Sequence, residues 1–133
     1  MIVDTSAIVA ILRSEPERPF FRRLLLTVPS TSISAGSWVE LGVVLARRAD
    51  PTLDAELAVL LRLTDLRIEP VTVEQAEIAR SAYRTYGVGS GHAARLNFGD
   101  CFAYALAKAK GEPLLFKGDD FAATDIEPAV PPA

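Results

Sequence analysis

Four carboxylates stand alone among apolar or glycine-rich neighbours in this chain. Asp4 closes the run Met1-Ile2-Val3-Asp4, and Glu40 is the only charge between Ser30 and Ala46. Asp100 sits within Phe98-Gly99-Asp100-Cys101-Phe102-Ala103, and Asp119 follows Leu114-Leu115-Phe116-Lys117-Gly118. An ionised carboxylate withdrawn from water is costly unless an opposite charge compensates it. Most of these acids have no Lys or Arg nearby in sequence, so the compensating charge is expected from outside the protein. Oxygen ligands select a hard divalent cation. The lack of a local His or Cys set favours Mg²⁺ or Mn²⁺ over zinc. The pattern reads as a metal site able to activate water.

Each acid also has a plain structural alternative. Asp4 could end a strand, Asp100 could balance a helix dipole, and Asp119-Asp120 after Lys117-Gly118 could form a turn. Glu40 is the hardest to explain in this way, because its nearest possible helical partner is Arg47. His92, the only histidine, lies in the glycine-rich stretch Gly87-Val88-Gly89-Ser90-Gly91-His92 and reads as an exposed or substrate-facing loop residue rather than a base.

The elements that must position these acids alternate short apolar strands with longer amphipathic stretches. Ile2-Val3-Asp4 reads as a strand and Thr5–Leu12 as a helix with Thr5 or Ser6 as N-cap. Pro16 and Pro19 bracket a second helix start, with Phe20, Leu24 and Val28 as the apolar stripe. Ser30–Ile33 is strand-like, and Ser34 caps a helix from about Ala35 to Arg48. Pro51 opens a helix with Leu53, Leu57, Leu60, Leu61 and Leu63 on its core side. Arg67–Val71 is a strand weakened by Pro70. Thr72-Val73-Glu74-Gln75 has the form of a capping box for a helix reaching Tyr86. After the flexible glycine loop, Asn97 caps a helix from Phe98 to about Lys110 that Gly111 ends. Leu114-Leu115-Phe116 is a buried strand, and the tail from Ile126 to Pro132 adds a short edge strand.

Strands separated by helices predict an α/β domain with a mostly parallel sheet. Ligands of such sheets bind beyond the carboxyl ends of the strands, near the point where strand order reverses. Asp4 and Asp119 follow strands, and Asp100 falls in the first turn of its helix. Glu40, on a helix face shared with Val43, Val44 and Arg47 that is expected to lie against the sheet edge, can reach the same rim. The four acids are therefore expected to converge.

Composition sets the outer limits. The chain has 133 residues, half of them hydrophobic, enough for one domain with a real core. The domain is read as 1–133, with 126–133 a partly Pro-rich tail. No apolar run is long enough for a bilayer, and the strand-like start at Ile2-Val3, with no basic region ahead of an apolar segment, leads to the expectation of no secretory signal. The single Cys101 excludes an internal disulfide and agrees with a cytoplasmic setting, and its neighbours place it in a buried helix position. The formal charge of −3 is unusual for a phosphate-binding protein, but two bound divalent cations would reverse its sign.

Taken together, Asp4-Thr5-Ser6-Ala7, Trp38-Val39-Glu40-Leu41, Asn97-Phe98-Gly99-Asp100 and Leu115-Phe116-Lys117-Gly118-Asp119-Asp120-Phe121 resemble the PIN-domain family. More narrowly they resemble the VapC toxins of bacterial type II toxin–antitoxin pairs, from Met1 to about Ile126. The resemblance implies a doubly wound, three-layer α/β fold and a metal-dependent endoribonuclease that cleaves RNA phosphodiester bonds with Mg²⁺ or Mn²⁺. It also implies a VapB-type antitoxin partner and commonly a homodimer. The family's acids fall on Asp4, Glu40, Asp100 and the Asp119-Asp120 pair, with Asp119 preferred because it is nearer the strand end. Asp4 and Asp100 match the usual metal ligands, with Glu40 and Asp119 supporting them. Thr5 and Ser6 match hydroxyl residues beside the first acid that can bond a carboxylate or a scissile phosphate.

Candidate RNA contacts are Arg80, Arg84, Arg95 and Lys117, with Tyr83 and Tyr86 as stacking surfaces. The surface around Leu24, Leu53 and Leu57 is expected to carry a partner. The competing reading is a catalytically silent PIN-like module that binds RNA or protein. Retention of all four mutually repelling acids disfavours it. An aspartyl-phosphate enzyme fits poorly, because Thr5 and Ser6 stand where a receiver domain or a haloacid-dehalogenase-like phosphatase would carry a further acid.

Overall fold

Neighbouring residues of a strand face opposite sides of a sheet, and the apolar pairs of this chain use that alternation to seed two cores. The computed structural model describes residues 1–130. In it, β1 (Ile2–Val3), β2 (Ser32–Ser34), β3 (Arg67–Glu69) and β4 (Leu114–Leu115) form an all-parallel sheet of order β3-β2-β1-β4. Ile2 lies beside Ser32 and Leu114, and Val3 beside Leu115.

Val3, Ile33 and Leu115 enter one core with α1 (Thr5–Leu12), α2 (Arg18–Thr27), α3 (Ala35–Arg48) and α4 (Pro51–Leu63). Ile2 and Leu114 enter the other with α5 (Val73–Tyr86) and α6 (Phe98–Lys110). Strands buried on both faces have no polar alternation, which is why Ile2-Val3 and Leu114-Leu115 are continuous apolar pairs. The result is the three-layer, doubly wound α/β arrangement. Strand order reverses at β1, between β2 and β4, the position at whose carboxyl ends ligands of such sheets bind.

Local chemistry fixes most helix ends. Ser34, Thr72 and Asn97 each accept a hydrogen bond from a backbone N–H one turn into α3, α5 and α6. Gly111 takes the left-handed conformation that ends α6. At α1 the cap is Asp4 itself, not Thr5 or Ser6: its carboxylate accepts from the Ser6 N–H at 3.0 Å. In α2 the buried residues are Phe21 and Leu25, whereas Phe20 is 43% exposed and Leu24 and Val28 are only partly buried. Two adjacent phenylalanines made either register plausible, and the interior takes the second. In α4, Leu53 and Leu60 are buried and Leu63 lies in solvent.

Strand β3 stops at Glu69, before Pro70, which has no N–H to extend the ladder. The loop that begins with Gly87–His92 is fastened at its base: Val88 N–H donates to the Leu96 carbonyl and Leu96 N–H to that of Tyr86, with Leu96 fully buried and residues 89–91 exposed. The tail adds a single parallel bridge from Pro128 to Leu114 on the outer edge of β4. The remainder of the expected edge strand, from residue 131, lies outside the described residues.

Helices α3 and α6 interlock through one glycine on each. A β-carbon at Gly36 of α3 would collide with the Phe102 ring of α6, and one at Gly99 of α6 would occupy the place of the Glu40 carboxylate of α3. Hydrogen at these two positions lets the helices approach closely, and that approach carries Glu40 to the first turn of α6.

Candidate metal centre

Asp4 follows β1 directly and is 3% exposed. One of its oxygens, Oδ2, accepts from the Ser6 backbone N–H at 3.0 Å and from the Ser6 hydroxyl at 2.6 Å. The other, Oδ1, is buried without a partner among the described residues. Burial pushes the Asp4 carboxyl up from 3.8 to about 6; the Ser6 hydrogen bonds pull it back, and the negative charge of Glu40 raises it further.

Asp100 occupies the third position of α6 and is 7% exposed. It forms a reciprocal capping box with Asn97: its Oδ2 accepts from the Asn97 N–H, and its own N–H donates to Asn97 Oδ1, both at 2.9 Å. Burial is the largest cause raising its carboxyl to about 7; the Asn97 bond opposes it, and the charges of Asp4, Asp120 and Glu40 add to it.

Those mutual effects place Asp4, Glu40, Asp100 and Asp120 in one electrostatic neighbourhood. From the loop after β4, the charge of Asp120 raises Asp100, and the preferred Asp119 is its immediate neighbour. Both are exposed. Glu40 arrives by a different route from the expected one. The buried face of α3 is Ser37, Leu41 and Leu45, while Val43 and Arg47 are exposed. The face bearing Glu40 therefore does not pack on the sheet edge, and Glu40 meets the site across Gly99. Sequence reasoning assigned no role to Gly99. A glycine in the first turn of a helix, where it weakens the helix by about 1 kcal/mol relative to alanine, was the available signal.

Among the described residues, no group of three or more Asp, Glu, His or Cys side chains is arranged so that it could hold a metal ion. The donor set nevertheless fits a hard cation. It consists of oxygens, and the buried, unpartnered Asp4 Oδ1 is an acceptor that folding leaves without a donor, an arrangement that native interiors rarely tolerate. Mg²⁺ characteristically keeps several waters and takes only one or two carboxylates directly, so an open cluster suits it.

The hydroxyl and cationic candidates separate. Ser6 lies in the site: its hydroxyl donates to Asp4 and accepts from the Lys117 backbone N–H at 3.0 Å, joining the rims of β1 and β4. The Thr5 hydroxyl is turned away, donating to the Ser37 carbonyl at 3.1 Å in a buried link between α1 and α3. The Lys117 ammonium is held by Glu15 and Glu17, so it braces the β4 loop against the α1–α2 connection instead of projecting towards a substrate. Arg84 and Arg95 are exposed, and neither forms an ion pair with the described residues. His92 accepts from the Ala94 N–H through Nδ1 and packs edge-on against Tyr86, a structural part of its loop. Cys101 is buried, as expected.

Comparison with known proteins identifies the family and the fold. Residues 1–127 match the PIN domain family. The chain is 49% identical over 129 residues to Ribonuclease VapC42 of Mycobacterium tuberculosis, covering 97% of this chain and 98% of that protein. It is 47% identical over 130 residues to Ribonuclease VapC28 of the same organism, covering 98% of each. Among solved structures, M. tuberculosis VapC20, described as a toxin that cleaves the sarcin–ricin loop, aligns over 98% of both chains with a TM-score of 0.71 at 24% identity. A chain of a Klebsiella pneumoniae toxin–antitoxin complex aligns over 93% of this chain and 92% of its own with a TM-score of 0.66 at 18% identity. At those identities the two structures establish the shared fold alone.

Proposed function

The chain belongs to the PIN-domain family, and from that premise we propose that it is a metal-dependent endoribonuclease acting as the toxin of a toxin–antitoxin pair. The observation that carries the reading is a pair of buried acids at the strand-order reversal, Asp4 with one oxygen left bare and Asp100 in the first turn of α6. Asp4, through Oδ1, and Asp100 are the residues to hold Mg²⁺ or Mn²⁺, supported by Glu40 and by Asp120 in the fourth place, with its neighbour Asp119 at the rim. When bound, the cation lowers the pKa of a coordinated water and offsets charge on the scissile phosphate.

The chain's own residues supply the positioning. Ser6 grips Asp4 Oδ2 and so fixes the direction of Oδ1. Asn97 does the same for Asp100 through Oδ2, leaving Oδ1 to the site. Glu40, held over Gly99, is placed to orient the attacking water and to receive its proton. Arg84 and Arg95 are the cations for the RNA backbone. Thr5 and Lys117, committed to internal bonds, contribute by holding the frame rather than by touching RNA.

The partner is an antitoxin, and the toxin pairs with a second copy of itself as a homodimer. Around Leu24, Leu53 and Leu57 little apolar surface is open, since Leu53 is buried and the other two are partly buried against the core. Val39 at 66%, Val43 at 47% and Ile68 at 48% exposure instead present apolar surface from α3 and β3. Among the described residues no helix is long and apolar enough to cross a membrane, and the site is assigned to the cytoplasm, where its RNA lies.

The direct test is cleavage of labelled total RNA by purified, antitoxin-free protein. Discrete fragments should appear with Mg²⁺ or Mn²⁺ and vanish in EDTA. RNA left intact under every metal condition would show that the scaffold is silent.

A further inference from the structure

Lys117 is held from both ends. Its backbone N–H donates to the Ser6 hydroxyl at 3.0 Å, and that hydroxyl donates in turn to Asp4 Oδ2 at 2.6 Å. Its ammonium lies between two carboxylates of the α1–α2 connection, donating to Glu15 and pairing with Glu17 at 3.2 Å. Both carboxylates stand on fixed backbone. Ser14, in the left-handed region at φ 56°, turns the chain after α1, and the Glu15 N–H closes that turn on the Ala10 carbonyl at 2.9 Å. Glu17 is the N-cap residue of α2 and its carbonyl accepts from the Phe21 N–H at 2.9 Å. Phe21 and Leu25 then seat α2 in the core.

The loop after Lys117 depends on such an anchor. Gly118, at φ 101°, turns the chain, and Asp119 and Asp120 come next. Both acids are exposed, and neither forms an ion pair with the described residues. Their placement therefore comes from the residues on either side. On one side Phe121 is 2% exposed and packs in the core against Phe116. On the other side stands Lys117.

We propose that Glu15 and Glu17 are positioning residues of the cation site and act on it through Lys117. By holding the ammonium they fix two things at once. One is the Lys117 N–H that keeps the Ser6 hydroxyl on Asp4; the other is the start of the loop that presents Asp119 and Asp120. The inference rests on the ribonuclease reading and adds to it two acids that lie outside the carboxylate cluster. Partly exposed ion pairs of this kind contribute little to folding, and the three side chains keep between 21% and 37% of their surface in water. A lysine meant for a phosphate would be poorly served here, because two flanking carboxylates repel the anion it is to receive.

The test compares the paired variant Glu15→Gln with Glu17→Gln, the single variant Lys117→Met, and all three changes together. Mn²⁺ binding is read by electron paramagnetic resonance on RNA-free protein. RNA binding is read by titrating a fluorescein-labelled, randomised single-stranded pool in EDTA, and cleavage by single-turnover rates at saturating RNA and Mn²⁺. The paired Gln variant should bind Mn²⁺ several-fold more weakly and cut roughly ten-fold more slowly, the lower end of what losing a partner outside the ligand shell costs. Its melting temperature should stay within about 3 °C of wild type. Lys117→Met should show the same losses with RNA affinity within about two-fold of wild type. The triple variant should be no worse than either, since groups that act as one device are not additive. Lys117→Arg, which can pair with both carboxylates, should keep most of the wild-type rate. Wild-type Mn²⁺ affinity and rate in the paired Gln variant would overturn the inference and leave the ribonuclease reading standing. Weak RNA binding by Lys117→Met, with Mn²⁺ affinity intact, would make Lys117 a substrate contact and also overturn it. A wild type that neither binds Mn²⁺ nor cuts the pool would sink both.

Discussion

Replacing Asp4 with Asn isolates the energetic consequence of keeping a bare carboxylate ready for a cation. The two side chains have nearly the same shape, and Asn serves as an N-cap as well as Asp does, so the Ser6 contacts that start α1 survive. What changes is the charge. Burial raises the Asp4 carboxyl from 3.8 to about 6, and at roughly 1.4 kcal/mol per tenfold change in acidity this amounts to about 3 kcal/mol. A raised carboxyl binds its proton more tightly in the folded state than in the unfolded chain. The metal-free protein therefore loses stability as pH rises from about 4 through 6, and above that the loss is complete. The Asn variant has no such loss. For a domain of this size 1 kcal/mol corresponds to roughly 3–5 °C, so metal-free Asp4→Asn should melt about 10 °C above wild type at pH 7.5 and show little difference near pH 4. Saturating Mn²⁺ should raise the wild type and leave the variant unmoved. The assay is differential scanning fluorimetry across pH in EDTA and again in Mn²⁺. Parallel pH profiles for the two proteins would refute the claim that Asp4 is held as a desolvated charge.

Other outcomes follow from the same geometry. Asp100→Asn should abolish RNA cleavage and growth inhibition on expression while raising metal-free thermal stability, measured by fragment analysis, plating and melting; full activity would mean that the site lies elsewhere. Gly99→Ala should lower cleavage at least about ten-fold and fail to gain the roughly 1 kcal/mol that alanine brings to a helix, because its β-carbon displaces Glu40; a more stable, fully active variant would count against that role for Glu40. Asp120→Asn should impair cleavage more than Asp119→Asn, as measured by single-turnover rates, and the reverse order would return the fourth position to Asp119. Arg84→Ala with Arg95→Ala should weaken RNA binding and flatten its salt dependence by about two counterions, with Mn²⁺ affinity unchanged; a wild-type salt slope would shift attention to Arg22 and Arg23.

Much of this architecture was legible because its determinants are local. Ser34, Asn97 and Gly111 delimit α3 and α6 by chemistry that acts within one turn, and those helices run as read. The paired apolar residues Ile2-Val3 and Leu114-Leu115 show buried parallel strands by composition alone. What stayed hidden depends on contacts distant in sequence. Nothing near Lys117 shows that its ammonium is taken by Glu15 and Glu17, about a hundred residues earlier. Nothing near Glu40 indicates that it enters the site over Gly99 rather than along the sheet edge. The choice between Asp119 and Asp120 turns on the exit direction of one loop, which spacing does not encode. Phe20 and Phe21 offer equal hydrophobicity, so only the register of α2 against its core decides between them. Thr5 and Ser6 are neighbours with similar chemistry, yet a rotation of one helical position sends one hydroxyl into α3 and the other to the acid cluster.

The central claim, that these carboxylates are the protein's cation site, is tested most directly by anomalous diffraction from crystals soaked in Mn²⁺. The account predicts a peak within coordination distance, roughly 2–2.5 Å, of Asp4 Oδ1 and of an Asp100 oxygen, lost in Asp4→Asn crystals soaked identically. A saturating soak that leaves the site empty, or that places the ion away from Asp4 and Asp100, would contradict it.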